Sequence, residues 1–576
     1  MSERYTAAEK WMVQTKRADF EAISRSLHIS PVTARIIRNR DVIGREAVEK
    51  YLRGGLKDLY SPHLLKDMDK TIDILKEKIN QSKLIRIVGD YDIDGVCSTY
   101  LLFQALTRAG AKVDYEIPDR IKDGYGINES IIRAAAEEGI DTILTCDNGI
   151  AAVEQIKLAR ELGLTVLVTD HHDIRKENGE DVLPPADTVV NPKQSACSYP
   201  YPEICGGLVA YKLVQALYEA FHIPVEEWLD MEEFAAIATV GDVMKLQDEN
   251  RIIVKEGLKR IGKTKSLGLL KLIEKNDLDK DHITAYQIGF VIGPCLNAGG
   301  RLQTAKLALS LLLAKEEGEA DRLAEELKLL NDERKDLTKQ GTKEAEQQVE
   351  AHYMEDKVLV VYLPDCHESL AGIVAGRLRE TFQKPAFVLT DGEECVKGSG
   401  RSIESYHMFD ALVGVKDLLL KFGGHPMAAG LSIPKENVEE FRKRLNEDAQ
   451  LTEEDFVRKV WIDVPMPLEY ISEPFIEELD LLEPYGQGNE KPLFAQKGLF
   501  IRSVRVLGKN RNAVKLSLAA DKGMPMDGML FTDGDSFLEE LGGNRRLDVV
   551  YYPAVNEYNG NRTLQIVIRN YKIPRA

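Results

Sequence analysis

The sequence predicts a mixed α/β protein: a parallel-sheet domain is joined by a long helix to a smaller α/β domain, and an all-β barrel follows. Three observations predict it. Short β-type runs alternate with helical stretches from residue 84 to 172. A charged, helix-forming segment at 313–350 precedes a second β/α block. Short alternating runs with Gly and Asn turns then fill the stretch after residue 490.

Residues 1–80 read as mixed helices without recognisable chemistry. In 81–312, LIRIVGD, AKVDYEIP, DTILTCD and LTVLVTD alternate with GVCSTYLLFQALTRAG, INESIIRAAAEEG and AAVEQIKLARELG. This βαβα rhythm implies a parallel sheet covered by helices on both faces. GLVAYKLVQALYEAF and EEFAAIATVGDV continue it as helices. Residues 313–350 are rich in Glu, Lys and Ala and predict a long solvated helix linking two lobes. In 351–450, VLVVYLP, AGIVAGRLRETF and PAFVLTD precede KGSGRS and the Gly-rich KFGGHPMAAGLSI. In 451–576 a turn-rich joint, EPYGQGN, leads to LFIRSVRVLG, NAVKLSLAA, DGMLF, LDVVYYPAVNEY and RTLQIVIRNYKI, an OB-like pattern.

A chain of 576 residues exceeds one core, and 44% hydrophobic with 30% charged residues describes a soluble globular protein. It carries no apolar run long enough to span a membrane and no apolar signal-peptide core at its start. Seven scattered cysteines without a CxxC pair fit reduced thiols and a cytoplasmic location, not a disulfide framework or zinc ribbon. The net charge of −18 speaks against a nucleic-acid partner, but it is uneven: residues 497–576 hold 13 Lys and Arg against 8 Asp and Glu. An acidic body that holds cations and a basic tail that holds phosphates are compatible with a nuclease.

The sharpest signal is Asp90-Tyr91-Asp92-Ile93-Asp94-Gly95 at the end of the first strong strand. Residues two apart in a strand share a face, so three carboxylates can converge at its carboxyl end, where parallel sheets bind ligands. Taken alone, the motif reads equally as an acidic loop capping the next helix. The strand-end position recurs, however. Asp147 follows TILTC, Asp170-His171-His172 follows LTVLV, and Asp242 closes AAIATVG. Topology brings such strand ends together, and carboxylates with one or two imidazoles suit Mn²⁺ and tolerate Mg²⁺.

DYDIDG, DNGI, DHH and GD, in this order, resemble the four catalytic motifs of the DHH-family phosphoesterases. IPDRIKDGYGIN, GPCLNAGGR, CHESLAGIVAGRL, KGSGRS, FGGHPMAAG and EPYGQGNEKPLF resemble the bacterial RecJ branch of that family. The resemblance runs from about residue 80 to the C-terminus. It implies a DHH domain, a DHHA1 domain beyond the linking helix, and an OB domain. It also implies 5′→3′ removal of nucleotides from single-stranded DNA in repair and recombination. Two Mn²⁺ (or Mg²⁺) ions would be held by Asp92, Asp94, Asp147, His171 and Asp242, with Asp147 as the bridge. His172 would face the phosphate or leaving group. The family commonly has a histidine where this chain has Val88, so the first ion loses a ligand for which Asp90 or water substitutes.

Two ions supply an activated water and charge neutralisation, but not an end preference. Gly398-Ser399-Gly400-Arg401-Ser402 offers backbone N–H groups, hydroxyls and a guanidinium in one short loop; taken alone it reads as an ordinary turn, and it is the family resemblance that implies Ser399 and Arg401 as candidates for the 5′ phosphate. Arg120 and Arg301 are expected along the strand's path, and His367 and His425 at the scissile phosphate; a structural histidine is the alternative for each of the last two. In the barrel, Tyr551, Tyr552, Tyr558 and Phe531 interleave with Lys515, Arg545, Arg546 and Arg562, either as a single-strand groove or as buried core. The expected partners are single-stranded DNA, a single-strand-binding protein and a helicase, with the enzyme a monomer. The competing readings are a DHH phosphodiesterase of cyclic dinucleotides or short oligonucleotides, a silent DHH scaffold, and a pyrophosphatase.

Overall fold

The computed structural model describes residues 8–120, 126–521, 523–558 and 560–574, with the side chain of Tyr558 outside the description. The chain divides into two compact units, Trp11–Gly293 with Trp461–Ala576, and Pro294–Val460 with Met1–Lys10.

In the larger unit, helices α1 (Phe20–Leu27), α2 (Pro31–Asn39), α3 (Arg45–Arg53) and α4 (Met68–Asn80) precede a five-stranded sheet. Its strands are β1 (Leu84–Val88), β2 (Lys112–Glu116), β3 (Thr142–Cys146), β4 (Thr165–Thr169) and β5 (Thr188–Val190), all parallel in the order β2-β1-β3-β4-β5. Helices α5 (Ile93–Arg108), α6 (Glu129–Glu137) and α7 (Val153–Glu161) make the crossovers. β1, β3 and β4 are buried almost throughout, as strands covered on both faces must be. The strand order reverses between β1 and β3, so the topological switch point opens at their carboxyl ends. Helices α8 (Gly206–Ala220), α9 (Glu232–Gly241) and α10 (Asp248–Ile261) follow, and α8 and α9 both pack on α5.

In the smaller unit the charged segment forms α11 (Glu317–Gln348). Its 32 residues span about 48 Å. It is not solvated all round as expected, because Ala320, Leu323, Ala324, Leu327, Leu330 and Ala345 bury one stripe. The sheet of this unit comprises β6 (Leu359–Tyr362), β7 (Ala386–Asp391), β8 (Val396–Arg401), β9 (Lys421–His425) and β10 (Ala428–Ile433), in the order β9-β10-β8-β7-β6. Helix α12 (Glu368–Phe382) packs on β7 and β8.

The last part of the chain returns to the larger unit as β11 (Val464–Pro465), β12 (Phe494–Leu507), β13 (Ala513–Ala519), β14 (Met526–Leu530), β15 (Arg546–Tyr558) and β16 (Asn561–Lys572). Pairing of β12 with β15 closes β12-β13-β14-β16-β15 into a five-stranded barrel. The barrel does not own its core. Leu27, Ile36, Ile37 and Leu52 of the N-terminal helices share one apolar cluster with Leu499, Leu516, Leu547 and Ile566. The EPYGQGN joint is pinned by buried Arg251 of α10, which donates to the carbonyls of Leu481, Leu482 and Glu483 at 2.7–2.9 Å. Tyr551, expected as a groove aromatic or as core, is fully buried and donates to the Met466 carbonyl at 2.7 Å, so it packs the barrel and stacks no base.

Candidate metal centre

Asp90, Asp92 and Asp94 meet through a strand–turn–helix, not through strand alternation, because β1 already ends at Val88. Asp92 is the N-cap of α5, and one of its carboxylate oxygens accepts the N–H groups of Asp94 and Gly95 at 3.0 Å each. The cap and ligand readings of the motif are therefore compatible. Asp94 is buried in the first turn, where its two oxygens accept the Gly206 and Gly207 N–H groups at 2.7 Å each. Those amides begin α8 and lie at its positive end. Only glycine fits there: a Cβ on Gly206 would lie 2.7 Å from that of Asp147, and one on Gly207 would lie 2.4 Å from that of Ala238.

Asp147 follows β3 with a left-handed φ of 60°. Beside it, the buried Asn148 amide donates to the Val88 and Cys146 carbonyls at 3.0 and 2.9 Å and ties the ends of β1 and β3 together. Asp170 follows β4 but turns away from the other acids; it accepts N–H groups from Ile150, His171 and His172, and the His172 Nδ1 at 2.7 Å. Asp242 is the C-cap of α9. These placements converge on His171, whose Nε2 lies 3.2 Å from Asp147, 3.6 Å from Asp94 and 3.7 Å from Asp242. Three groups, Asp90/Asp92/Asp147, Asp94/His171/Asp242 and Asp147/His171/His172, each bring one ligand atom per residue within 4.8 Å of the others. Val88 is fully buried among Ile127, Ile131 and Ile143 and offers no ligand.

The electrostatics ask for a cation. Burial, and then the charges of neighbouring acids, push Asp90 and Asp242 up to about 8 and raise Asp92 and Asp147 as well. Burial lowers His171, which keeps its imidazole neutral and fit to ligate. Burial also opposes the charge on His172, but the hydrogen bond from its ring to Asp170 raises it to about 9. Among the described residues, both ring nitrogens of His171 and Asp90 Oδ1 are buried without a hydrogen-bond partner, and divalent ions would satisfy the carboxylate oxygen and the unprotonated imidazole nitrogen. Carboxylates with imidazole suit Mn²⁺ or Mg²⁺. Sequence reasoning passed over Asn148, Asp170 as the orienting acid, and the Gly206-Gly207 amides. The Gly-Gly pair opening the helical run GLVAYKLVQALYEAF was the one signal for the last.

The smaller unit gathers a second set of residues. KGSGRS is not a loop but the central strand β8, whose amides are spent on ladders with β7 and β10. It therefore offers side chains and no free N–H nest. The alternation explains its composition. A Cβ on Gly398 or Gly400 would collide with Leu389 at 2.3 Å or Met408 at 2.5 Å in the core, whereas Ser399 and Arg401 point to the α12 face. Arg401 donates to Ser399 Oγ at 3.3 Å and to the Gly400 carbonyl at 2.8 Å. Arg401 and His425 both pair with Ala428 across adjacent strands, which puts them on one face of the sheet. His367 caps α12 through its Nδ1, and Arg301 donates to the Ser369 carbonyl at 2.9 Å, so both stand at the amino end of that helix. Arg120, in the larger unit, lies with its guanidinium 4.9 Å from the centre of the Tyr91 ring. Residues 121–125 of IPDRIKDGYGIN lie outside the described residues.

In the barrel, Phe531 is exposed and Lys491 stands 4.2 Å over the Tyr552 ring. Lys515, Arg546 and Arg562 are each paired with a carboxylate, from Asp527, Asp521 and Glu473.

Residues 84–241 match the DHH family N-terminal domain, 355–450 the DHHA1 domain, and 462–570 the RecJ OB domain. The chain is 37% identical over 566 residues to the single-stranded-DNA-specific exonuclease RecJ of Bacillus subtilis, covering 97% of this chain and 70% of that protein. It is similar to the crystal structure of RecJ from Thermus thermophilus in complex with Mn²⁺, with a TM-score of 0.84 at 30% identity over all of this chain and 81% of the other. The Mg²⁺ complex of the Thermus protein matches with a TM-score of 0.78 at 29% identity, covering all of this chain and 80% of the other.

Proposed function

The chain belongs to the RecJ family, and from that we propose that it is a metal-dependent exonuclease that hydrolyses single-stranded DNA from its 5′ end to 5′-mononucleotides. The convergence of Asp94, Asp147 and Asp242 on His171, beside Asp90 and Asp92, carries the reading. Asp92, Asp94, Asp147, His171 and Asp242 would hold two Mn²⁺ or Mg²⁺ ions, with Asp147 common to both positions and Asp90 replacing the ligand that Val88 does not provide. Such a pair of ions, when bound, lowers the pKa of a water and neutralises the attacking and leaving oxygens of a phosphodiester.

The rest of the work falls to side chains. The Gly206 and Gly207 amides hold the Asp94 carboxylate in place. Asp170 fixes the ring of His172 through Nδ1 and raises its pKa, which suits the imidazole to donate toward a phosphoryl oxygen or the leaving group. Ser399 and Arg401 are assigned to the terminal 5′ phosphate, with His425 on the same face. His367 keeps only its Nε2 for a phosphate, because Nδ1 caps α12. Arg120 and Arg301 are assigned to the backbone of the strand. Partnership with a helicase and a single-strand-binding protein, action as a monomer and a cytoplasmic location belong to the same proposal, supported by family resemblance. Domain boundaries at 80, 312, 350 and 450 are likewise ours.

The test is digestion of a single-stranded and a duplex oligonucleotide of one sequence with Mn²⁺ or with EDTA. Release of mononucleotides from the single strand in Mn²⁺ alone supports the assignment; cleavage of cyclic dinucleotides with an intact oligonucleotide rejects it.

A further inference from the structure

Tyr286 and Phe290 stack on one another with ring centroids 4.7 Å apart and planes 26° apart, yet each is 66% exposed. Large apolar rings held parallel in water carry an unfavourable hydration term that burial normally removes. They stand on a short helical stretch that includes a π-turn over Ile288–Ile292, a distortion frequent at functional sites.

The seat of this stretch is the edge of the metal centre. A Cβ on Gly289 would lie 3.6 Å from Val240, two residues before Asp242. A Cβ on Gly293 would lie 3.2 Å from Ile93, between Asp92 and Asp94. Ile93 in turn touches the position of Gly241, at 2.5 Å from its would-be Cβ. Gly289 and Gly293 thus let the helix lie against α9 and α5, while Tyr286 and Phe290 on the same stretch stay exposed. Val243, one turn beyond Val240, is 65% exposed with a left-handed φ of 57°, unusual for a β-branched residue.

We propose that Tyr286 and Phe290 form a stacking platform for a nucleobase of the single strand beside the metal centre. The inference rests on the exonuclease reading above and adds a base-binding subsite to it. Three features fit a nucleobase better than a protein partner. The rings are already parallel, so a third flat ring extends the stack with little further ordering. Stacking accepts any base, as a sequence-indifferent exonuclease requires. The location beside Asp92, Asp94 and Asp242 is where the reacting end of the strand must come.

The test uses the full chain in Ca²⁺ without Mn²⁺, with binding to a 5′-phosphorylated, fluorescent oligodeoxythymidylate read by anisotropy. Tyr286→Ala/Phe290→Ala should raise Kd roughly 5- to 150-fold, the equivalent of one lost base stack. Tyr286→Leu/Phe290→Leu keeps the apolar bulk but not the flat rings and should stay weak, whereas Tyr286→Phe should bind as tightly as the parent. A walk of single abasic residues from the 5′ end separates stacking from structural damage. The parent should lose affinity at one position, and the alanine variant should be indifferent there. Equal Kd for parent and folded alanine variant, or the same abasic profile for both, overturns the platform. A parent that binds and cleaves no single strand at all overturns the exonuclease reading itself, a result distinct from a parent that cleaves with no abasic-sensitive position.

Discussion

Stripping divalent ions from this protein should make it progressively less stable as pH rises, and the carboxylate cluster sets the size of the effect. Asp90 and Asp242 are pushed from 3.8 up to about 8 in the folded chain. A raised carboxyl pKa means that the folded state keeps protons which the unfolded state has released, so stability is fullest below about pH 4 and is lost progressively up to about pH 8. At pH 7 the buried Asp90 weakens the metal-free fold by about 4 kcal/mol, at about 1.4 kcal/mol per pH unit. Asp242 contributes the smaller share, since its side chain is 29% exposed and Asp90 is buried. Even one such group is a large fraction of the roughly 5–15 kcal/mol that holds a typical domain together. A divalent ion replaces the protons as the neutralising charge, and its binding therefore strengthens with pH. The assay is thermal unfolding at pH 5 and pH 8 with EDTA or with saturating Mn²⁺. The Mn²⁺-induced rise in Tm should be several degrees larger at pH 8. An equal rise at both pH values, or none, would refute the argument that the burial of these acids, and then the repulsion between them, is what the ions relieve.

Asp147→Ala should abolish hydrolysis while circular dichroism stays unchanged, because it removes the carboxylate shared by two of the ligand groups; near-normal turnover in saturating Mn²⁺ contradicts the two-ion assignment. Arg401→Ala should reduce the preference for 5′-phosphorylated over 5′-hydroxyl oligonucleotides more than it reduces Mn²⁺ affinity, and an unchanged rate ratio rules out that contact. Tyr551→Ala should destabilise the larger unit by roughly 3–5 kcal/mol in urea unfolding, as expected for a large aromatic lost from a core, whereas a pure loss of DNA affinity at full stability would return Tyr551 to the groove.

The convergence of the acids and His171 was legible because acids at parallel-strand ends are local signals that the sheet topology adds together. Asp90, Asp147 and Asp170-His171-His172 each end a recognisable β-run, and Asp242 ends a recognisable helical one. What escaped lies where the local signal is ambiguous or distant. KGSGRS looks like a turn because of its two glycines, but they serve side-chain packing inside β8, where Phe387, Leu389, Met408 and Leu431 leave no room for a Cβ. The Gly206-Gly207 amides hold Asp94 without a side chain of their own, so only the Gly-Gly pair at the start of a helical run marks them. The N-terminal helices revealed no chemistry because their role is structural: Leu27, Ile36 and Leu52 complete the core of a barrel more than 400 residues later in the chain. Deleting 497–576 would therefore remove 13 of the 29 buried residues of this shared core together with any DNA-binding surface, so a loss of binding on truncation would report folding as well.

The central claim is directional cleavage of a single strand, and end-labelling tests it most directly. A single-stranded oligonucleotide labelled at the 5′ end in one sample and at the 3′ end in another is digested with Mn²⁺ and sampled over time. The account predicts that the 5′ label appears at once as mononucleotide, while the 3′ label passes through a descending ladder of shortened strands. Immediate release of the 3′ label, or internal fragments from both samples, would contradict it.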